Sequence, residues 1–342
     1  MSDINLLQKR LDIIRSTRMQ TQRGSVKKVF TIGRYFRRKF GEDVYKVPLS
    51  IQGFTCPNID GTVAKGGCTF CLNESFSPNL AKASKKFYLH PDSSENPLLQ
   101  KQLEQVRVQY RATSRRLAGK YGVKKFLAYF QSFTNTYAPF ETLKALYEEA
   151  LRQPGCVGLS IGTRSDSVTE EILDYLAELS REYEIWIEYG IQSIYDETLE
   201  AINRGHDSAN VKEWIGKSKD RGLKVCGHVI FGLPAETEEM MLDTVRESIA
   251  WGIDSIKIHP LYVVKNTALA VDYLKGRFTP IDEERYIKLV VESIRMLPPH
   301  ISVQRITAGI DDDTLLAPEW CRCKHTQMKH IREALKKAGY IY

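Results

Sequence analysis

Short apolar runs alternate with amphipathic segments through the middle of the chain, and this alternation restricts the choice of fold more than any other feature. Runs rich in β-branched and aromatic residues predict strands, and the segments between them predict helices. The predicted strands are Lys46–Ile51, Lys125–Phe130, Val157–Ile161, Ile185–Ile191, Lys224–Phe231 and Asp254–Ile258. After the first strand the units repeat roughly every 30 residues, which is typical of βα repeats that form a parallel sheet.

Six βα units predict an α/β protein built on an open or partial (β/α)6 barrel, with ligands at the C-terminal ends of the strands. A chain of 342 residues is long enough for one such barrel. Residues 72–124 are predicted to be a long insertion between the first two strands. We expect a basic N-terminal extension (1–40), a barrel core (41–280) and a helical C-terminal region (281–342).

Three cysteines follow the first predicted strand on one glycine-rich loop, at Cys56, Cys68 and Cys71. Structural metal sites usually close with four ligands, so three thiols indicate a distant fourth ligand or a site left open. Three thiolates can bind three irons of a [4Fe-4S] cluster and leave the fourth iron free to chelate an amine and a carboxylate, the two groups that S-adenosylmethionine presents. Gly66 and Gly67 allow backbone amides to approach such a cluster.

The alternative for this loop is a zinc site completed by a remote histidine such as His90. Near the C-terminus, Cys321, Cys323 and His325 offer a second candidate metal site, but a C-x-C pair is weak support and we favour no second cluster. Cys156 and Cys226 lie in apolar strand contexts that predict burial.

The cysteines and the apolar runs also bear on location. Seven cysteines, an odd number with three on one loop, argue against a secreted disulfide framework and favour a reducing cytoplasm. No stretch approaches the roughly 18 consecutive apolar residues of a membrane span, and charges interrupt the N-terminus, so we expect no membrane segment and no signal peptide.

Positive charge is concentrated near the N-terminus. The net charge is +7, and residues 1–46 carry twelve Lys and Arg against four Asp and Glu. Lys101–Lys125 holds eight basic residues and one acid, and Arg34–Phe40 mixes arginines with aromatic residues. The charge indicates either solvated helical faces or contacts with a polyanion, for which RNA is the leading choice. Aromatic and arginine side chains together suit stacking on bases and contact with phosphates.

Several longer segments resemble the radical SAM superfamily, and specifically the YhcC/YtqA-type family related to the Elongator catalytic subunit. The similarity runs from about Arg34 to His325. The segments are TCPNIDGT, GGCTFC, YFQSFTNTYA, IGTRSD, EYGIQSIYDETLEAINRGHD, GLKVCGHVIFGLPAE, IKIHPLYVVKNT and TLLAPEW. Two positions depart from the family pattern: Ser165 stands where proline is usual, and Ala235 stands where glycine is usual.

This resemblance implies a set of roles. Cys56, Cys68 and Cys71 would ligate a [4Fe-4S] cluster that cleaves S-adenosylmethionine to a 5′-deoxyadenosyl radical, with an electron donor such as flavodoxin or ferredoxin. The implied cofactor contacts are Phe70 and Val229–Phe231 along the adenine, Gln131 at the methionyl amine, Glu188 and Gln192 at the ribose, Arg204 at the methionyl carboxylate, and Arg164.

The patterns around these positions leave other roles open. Glu188 is alternatively a cap or ion-pair residue, and Arg204 a structural cation at a helix end. His228 is predicted to be a core histidine with its hydrogen bonds satisfied. His259 and Lys257 are candidates to face the substrate, although strand alternation equally allows Lys257 to point outward.

For the substrate, the resemblance implies tRNA wobble uridine, with conversion of its 5-carboxymethylaminomethyl group to 5-aminomethyl. The basic N-terminal arm and Lys101–Lys125 fit a tRNA partner. The alternatives are a radical SAM oxidoreductase acting on a small molecule such as a porphyrin, and a zinc-stabilised RNA-binding protein without catalysis.

Overall fold

A computed structural model describes residues 26–72 and 88–342, and its centre is a parallel sheet of seven strands curled into a half-barrel. In spatial order the strands are β2 (Val44–Leu49), β3 (Lys125–Phe130), β4 (Cys156–Thr163), β5 (Glu184–Gln192), β6 (Lys224–Phe231), β7 (Ser255–Pro260) and β9 (Ser302–Arg305). The predicted α/β half-barrel and its six predicted strands are confirmed.

The seventh strand, β9, lies in the region that we predicted to be helical. It pairs in parallel with β7, and Arg305 is the register partner of Lys257. Its four residues, SVQR, include three polar side chains and show no apolar run, so their pattern does not indicate a strand. Residues 281–342 therefore supply part of the barrel sheet as well as helices.

Helices connect the strands and cover the outside of the sheet. They are α1 (Ile32–Phe40), α2 (Pro57–Asp60), α3 (Leu99–Tyr121), α4 (Phe140–Leu151), α5 (Glu170–Leu179), α6 (Asp196–Ala201), α7 (Ser208–Asp220), α8 (Glu238–Ala250), α9 (Ala268–Leu274), α10 (Glu283–Met296) and α11 (Lys324–Lys337). The predicted insertion at 72–124 contains α3, which is the crossover helix that two parallel neighbouring strands require.

Two small strand pairs lie outside the barrel sheet. β1 (Lys27–Lys28) runs parallel to β11 (Tyr340–Ile341), so the start of the described chain packs beside its end. β8 (Val263–Val264) pairs antiparallel with β10 (Leu315–Ala317) near the open end of the barrel. In the described ranges, no helix is both long and apolar enough to cross a membrane.

The barrel interior is layered because alternate residues of each strand point inward. The layer nearest the N-terminal strand ends is apolar and consists of Val44, Leu127, Trp186 and Cys226 packed against Phe36. The next layer is polar and consists of Lys46, Tyr129, Ser160, Glu188, His228 and Lys257. Beyond it, the strands end at the open face, where a parallel barrel binds its ligands.

Helix α1 closes the opposite end of the barrel and holds the RYFRRKF motif. Phe36 is 1% exposed, which removes this ring from any stacking contact with a base. The Arg37 guanidinium donates two hydrogen bonds to Asp43, and Lys39 forms an ion pair with Glu184. This motif therefore stabilises the floor of the barrel, far from the open face. Residues 1–25 of the predicted basic extension lie outside the described residues.

Candidate radical SAM site

The loop with the three cysteines leaves the C-terminal end of β2. The carbonyl of Cys56 accepts hydrogen bonds from the amides of Ile59 and Asp60 at 2.7 and 3.1 Å, which starts the short helix α2. Gly66 and Gly67 then take positive φ angles of 86° and 78°. Side chains disfavour this left-handed backbone, so two consecutive glycines let the chain turn sharply just before Cys68.

A second segment, Ile202–Gly205, clamps this loop from the side. The Asn203 amide side chain donates to the carbonyl of Gly67 at 2.7 Å, and the backbone amide of Thr69 donates to Ile202 at 3.0 Å. In return, the Asn58 side chain donates to the carbonyl of Arg204 at 2.9 Å. These bonds tie the cysteine loop to the connection that carries Arg204, so loop and arginine keep one relative position.

Arg204 reaches from this clamp toward the thiols. Its Nη1 lies 3.8 Å from the Cys68 Sγ, and its Nη2 donates to the carbonyl of Gly190 at 2.9 Å. Arg164 supports Arg204 by donating to its carbonyl at 2.7 Å while forming a two-pronged ion pair with Asp166. Burial would raise the pKa of Asp166, but Arg164 holds that pKa below its usual value. The pair therefore stays ionised and keeps the Arg204 segment in place.

Glu188 occupies the centre of the polar layer, and its contacts match the ion-pair alternative. Lys46 and Lys257 both form ion pairs with its carboxylate, and the Nε2 of His228 lies 2.8 Å from Oε2. The Ser160 hydroxyl donates to Oε1 at 2.5 Å. Burial alone would raise the pKa of Glu188, but Lys257 and Lys46 hold it well below the usual value.

Lys257 therefore points into the barrel, where its Nζ also lies 3.0 Å from the Tyr129 hydroxyl. His228 is hydrogen-bonded as predicted, but its ring also lines the cavities at the open face. Burial and the charge of Lys257 lower the pKa of His228 to about 4, so its imidazole is neutral at neutral pH.

Two connected cavities lie at the open face. A cavity of about 150 Å³ is bounded by Cys56, Cys68, Cys71, Gln131, Arg164, Glu188, Gln192 and Arg204. A cavity of about 630 Å³ lies beside it and is bounded in part by Phe70, Tyr262, His259 and Arg305. Cys71, Tyr129, Gln131, Gln192 and His228 line both. The structure therefore brings the three cysteines and all the predicted cofactor contacts except Val229 and Phe231 together around these cavities.

Gln192 has an unusual backbone at the boundary of the two cavities. It has a positive φ of 66° and follows an irregularity in the pairing of β5 with β6. Such a bulge redirects a side chain, and non-glycine residues in this conformation are concentrated at functional sites. The sequence pattern carries no sign of this bulge.

The space beside the thiols suits a cluster better than a single zinc ion. Zinc brings three thiolate sulfurs to about 3.8 Å from one another, because each Zn–S bond is about 2.3 Å. Among the described residues, the side chains with ligand atoms within 4.8 Å of one another are Glu188, Cys226 and His228, and the three loop thiols are not such a group. A [4Fe-4S] cluster needs thiolates that lie farther apart than those around one zinc ion, because each thiolate binds a different iron.

Polar atoms near the cysteine loop fit a ligand with charged and hydroxyl groups. In the part of the chain that is described, the buried atoms there without a hydrogen-bond partner include Asn58 Oδ1, Arg164 Nη1, Gln192 Oε1 and Arg204 Nε. Buried polar groups are normally paired, so these atoms are expected to bind a ligand. The guanidinium nitrogens suit a carboxylate, and the amide oxygens suit an amine or a hydroxyl, all of which S-adenosylmethionine carries.

The remaining thiols line neither cavity. Cys321 packs among Val264, Ile310 and Leu315, and burial raises the pKa of its thiol to about 12, whereas Cys323 is exposed. Cys226 is buried as predicted, and Cys156 is half-buried.

Comparison with protein families agrees with this site. The family model of the Radical SAM superfamily matches residues 61–247, and that of the Radical_SAM C-terminal domain matches residues 253–337. The chain belongs to the radical SAM superfamily, whose members use a [4Fe-4S] cluster and S-adenosylmethionine. The alternative of a zinc protein without catalysis is therefore wrong.

Within the superfamily, the chain is similar over nearly its whole length to two bacterial proteins. It is 38% identical to protein YhcC of Escherichia coli (strain K12) over 307 residues, which cover 88% of this chain and 90% of that protein. It is 34% identical to YtqA of Bacillus subtilis (strain 168) over 313 residues, which cover 92% and 91%. The predicted family is confirmed.

Two further relatives share only part of their length with the chain. The tRNA uridine(34) acetyltransferase of Methanocaldococcus jannaschii is 31% identical over 158 residues, which cover 45% of this chain and 29% of that protein. The solved structure of the archaeal Methanocaldococcus infernus Elp3 superposes with a TM-score of 0.56 at 20% identity, covering 86% of this chain and 63% of that one. The latter likeness concerns the fold.

Proposed function

We propose that the protein acts in the cytoplasm on the wobble uridine of tRNA, and that it converts a 5-carboxymethylaminomethyl group to 5-aminomethyl. The observation that carries this proposal is the cavity of about 630 Å³ that opens directly beside the cysteine cavity. Ligand sites for one small organic group occupy about 300–1,000 Å³, so one modified nucleoside fits. The similarity to a tRNA uridine(34) acetyltransferase supports the choice of tRNA.

The residues of the site have defined tasks in this reaction. When bound, the cluster and S-adenosylmethionine supply a 5′-deoxyadenosyl radical. Arg204 holds the methionyl carboxylate through a charge-assisted contact. Gln131 and Gln192 line both cavities and orient cofactor against substrate. The ion-paired Glu188 below them keeps the floor of the site rigid, because its carboxylate is bonded from several strands.

The proposed reaction is balanced as follows. The C–H bond of the methylene between amine and carboxylate breaks, and its hydrogen atom goes to the deoxyadenosyl carbon. Loss of a second electron, which would replace the electron spent on cleaving S-adenosylmethionine, would give an iminium group, and water would then cleave its C–N bond to leave aminomethyl-uridine and glyoxylate. In sum, substrate, water and S-adenosylmethionine give aminomethyl-uridine, glyoxylate, methionine, 5′-deoxyadenosine and a proton. S-adenosylmethionine thus takes up the two electrons that the substrate loses.

Mass spectrometry of nucleosides from bulk tRNA tests this proposal. Cells without the gene should accumulate carboxymethylaminomethyl-uridine and lack the aminomethyl form and nucleosides made from it. The anaerobically reconstituted protein should restore the aminomethyl form in that tRNA and release 5′-deoxyadenosine and glyoxylate in equal amounts, and Cys68→Ala is the control that should release neither. Unchanged nucleosides in the deletion strain would overturn the proposal and favour the small-molecule alternative, for example a porphyrin.

A further inference from the structure

The larger cavity contains an arginine without an acidic partner. Arg305 ends strand β9 and lines this cavity. In residues 26–72 and 88–342, no carboxylate lies within 4.0 Å of its guanidinium. An arginine that is partly enclosed normally pairs with an anion, because its charge is costly to remove from water.

The groups around Arg305 do not supply that anion. Lys46 and Lys257 share the single carboxylate of Glu188, so the carboxylate of the polar layer below the cavity is already paired. Lys324 lines the same cavity, and burial together with the charge of Arg305 lowers its pKa. Partial burial is the larger cause of this lowering, and the positive charge of Arg305 nearby adds to it.

The acids of this cavity lie at its rim. Asp311 and Asp312 are both exposed to solvent. The carboxylate of Asp312 accepts hydrogen bonds from the amide and hydroxyl of Thr314. Exposed carboxylates are well hydrated and compensate an enclosed cation only weakly. Lys324 is exposed like these two acids, so Arg305 is the enclosed charge of the described cavity wall.

A neutral donor stands beside this charge. The Nε2 of His259 is buried and has no hydrogen-bond partner among the described residues. Its ring lies roughly parallel to that of His228, with ring centres 6.0 Å apart, and both rings line the cavity. Burial lowers the pKa of His259 well below its usual value, so the ring is neutral and offers one N–H donor.

We propose that Arg305 and His259 form a receptor for a carboxylate of the substrate, with Lys324 adding positive charge. This inference rests on the proposed function, because it assigns the carboxylate to the group that the reaction removes. A backbone phosphate is the alternative anion, and the comparison of acid and ester below distinguishes the two, because neither probe carries a phosphate.

The receptor gives the site a means of selecting its substrate. A carboxylate held at Arg305 orients the carbon next to it, which is the carbon that loses hydrogen in the proposed reaction. Once the aminomethyl product forms, the nucleoside no longer carries the carboxylate, and the receptor loses its ligand. A site built to bind a polar group discriminates strongly against analogues that lack it, because its own groups are then left unpaired.

Binding of two nucleosides to the cluster-free protein tests the receptor without any catalysis. The probes are 5-carboxymethylaminomethyl-uridine and its methyl ester, which differ in the charge of one group, measured by titration calorimetry. The wild type should bind the acid about 10- to 100-fold more tightly, the range of a charge-assisted contact. Arg305→Gln should remove this preference, and Arg305→Lys should retain part of it. Arg277→Gln, at an exposed arginine paired with Asp272, should behave as wild type.

Each outcome has a separate meaning. Equal binding of acid and ester by the wild type overturns the receptor, even if the deletion strain confirms the tRNA reaction. A wild-type preference for the acid that Arg305→Gln keeps also overturns it, provided that thermal melting shows the variant to be folded. Loss of the preference in Lys324→Gln, with Arg305→Gln unaffected, would assign the carboxylate to the lysine instead. Unchanged tRNA nucleosides in the deletion strain refute the proposed function. The comparison of acid and ester still decides whether Arg305 binds a carboxylate.

Discussion

Lys257 and Glu188 form an ion pair inside the barrel, and neither side chain is more than 3% exposed. Lys46, on the edge strand β2, binds the other oxygen of the same carboxylate. The three charges join strands β2, β5 and β7 directly below the cysteine cavity. Buried ion pairs contribute little net stability compared with apolar packing, but they are costly to break, because the remaining charge stays buried.

Removal of the central carboxylate should therefore destabilise the fold. Glu188→Gln leaves two ammonium groups facing each other without an anion, and we expect a loss of about 3–5 kcal/mol in the free energy of unfolding. Urea denaturation of the cluster-free protein measures it. Glu178→Gln, at an exposed position, is the matched control and should change stability by less than about 0.5 kcal/mol. A similarly small loss in Glu188→Gln would show that the pair is solvated.

The three loop thiols should each be required for the cluster. Cys56→Ala, Cys68→Ala and Cys71→Ala should each abolish the broad visible absorption and the reductive cleavage of S-adenosylmethionine, because a cluster iron then lacks its ligand. Cys321→Ala and Cys323→Ala should retain both signals. Iron analysis after anaerobic reconstitution checks these outcomes. Full iron content in any variant of the first group would exclude that residue, and loss of about half the iron in the second group would establish a second cluster.

Arg204 should determine the affinity for S-adenosylmethionine. Its guanidinium lies beside Cys68 and has a buried nitrogen without a partner among the described residues. Arg204→Ala should weaken binding by about 1.5–3 kcal/mol while the cluster still assembles. Equilibrium binding to the reconstituted protein measures the loss, and the visible spectrum controls for the cluster. Unchanged affinity would make Arg204 a structural residue of the loop clamp.

Ala235 should be less favourable than glycine at its position. Its φ angle is 63°, in the left-handed region, and the resemblance indicates glycine there. For an L-residue this conformation costs about 1–2 kcal/mol, whereas glycine loses about 0.5–1 kcal/mol through its greater chain entropy in the unfolded state. Ala235→Gly should therefore raise the free energy of unfolding by about 0.5–1 kcal/mol. Ala112→Gly, at an exposed position within α3, should lower it by about 1 kcal/mol. Destabilisation in both variants would contradict the strain at Ala235.

His228 should make the protein acid-sensitive. Burial and Lys257 lower its pKa to about 4, whereas an unfolded histidine titrates near 6.5. Between these values the unfolded chain binds a proton and the native protein does not, so stability falls as pH falls from about 6.5 to 4. His228→Gln should flatten this decline by up to about 3 kcal/mol. Urea denaturation at several pH values measures this dependence of the unfolding free energy on pH. His325→Gln, at an exposed position, is the control. Parallel pH curves for His228→Gln and wild type would refute the assignment.

Local patterns in the sequence were enough for much of this protein. Six barrel strands follow from apolar runs of the right length, because burial on a parallel sheet selects β-branched and aromatic residues at neighbouring positions. The cluster loop follows from three cysteines and three glycines within 16 residues. The candidate cofactor contacts came from resemblance, and the structure places most of them around the two cavities, whereas Val229 and Phe231 are buried in the hydrophobic core.

Only the tertiary structure decided the features whose partners are far apart in the chain. Lys46 and Glu188 are 142 positions apart, and no local pattern in the sequence indicates that these two residues pair. The strand Ser302–Arg305 has too few apolar residues to be recognised, and its pairing with β7 is what turns Arg305 toward the larger cavity. The RYFRRKF motif has the composition of an RNA-binding segment, yet the burial of Phe36 makes it the floor of the barrel. The composition of a sequence gives the charged and aromatic groups that are present. Their burial and their charge pairing depend on which strands are neighbours in the folded sheet, and this arrangement exists only in the tertiary structure.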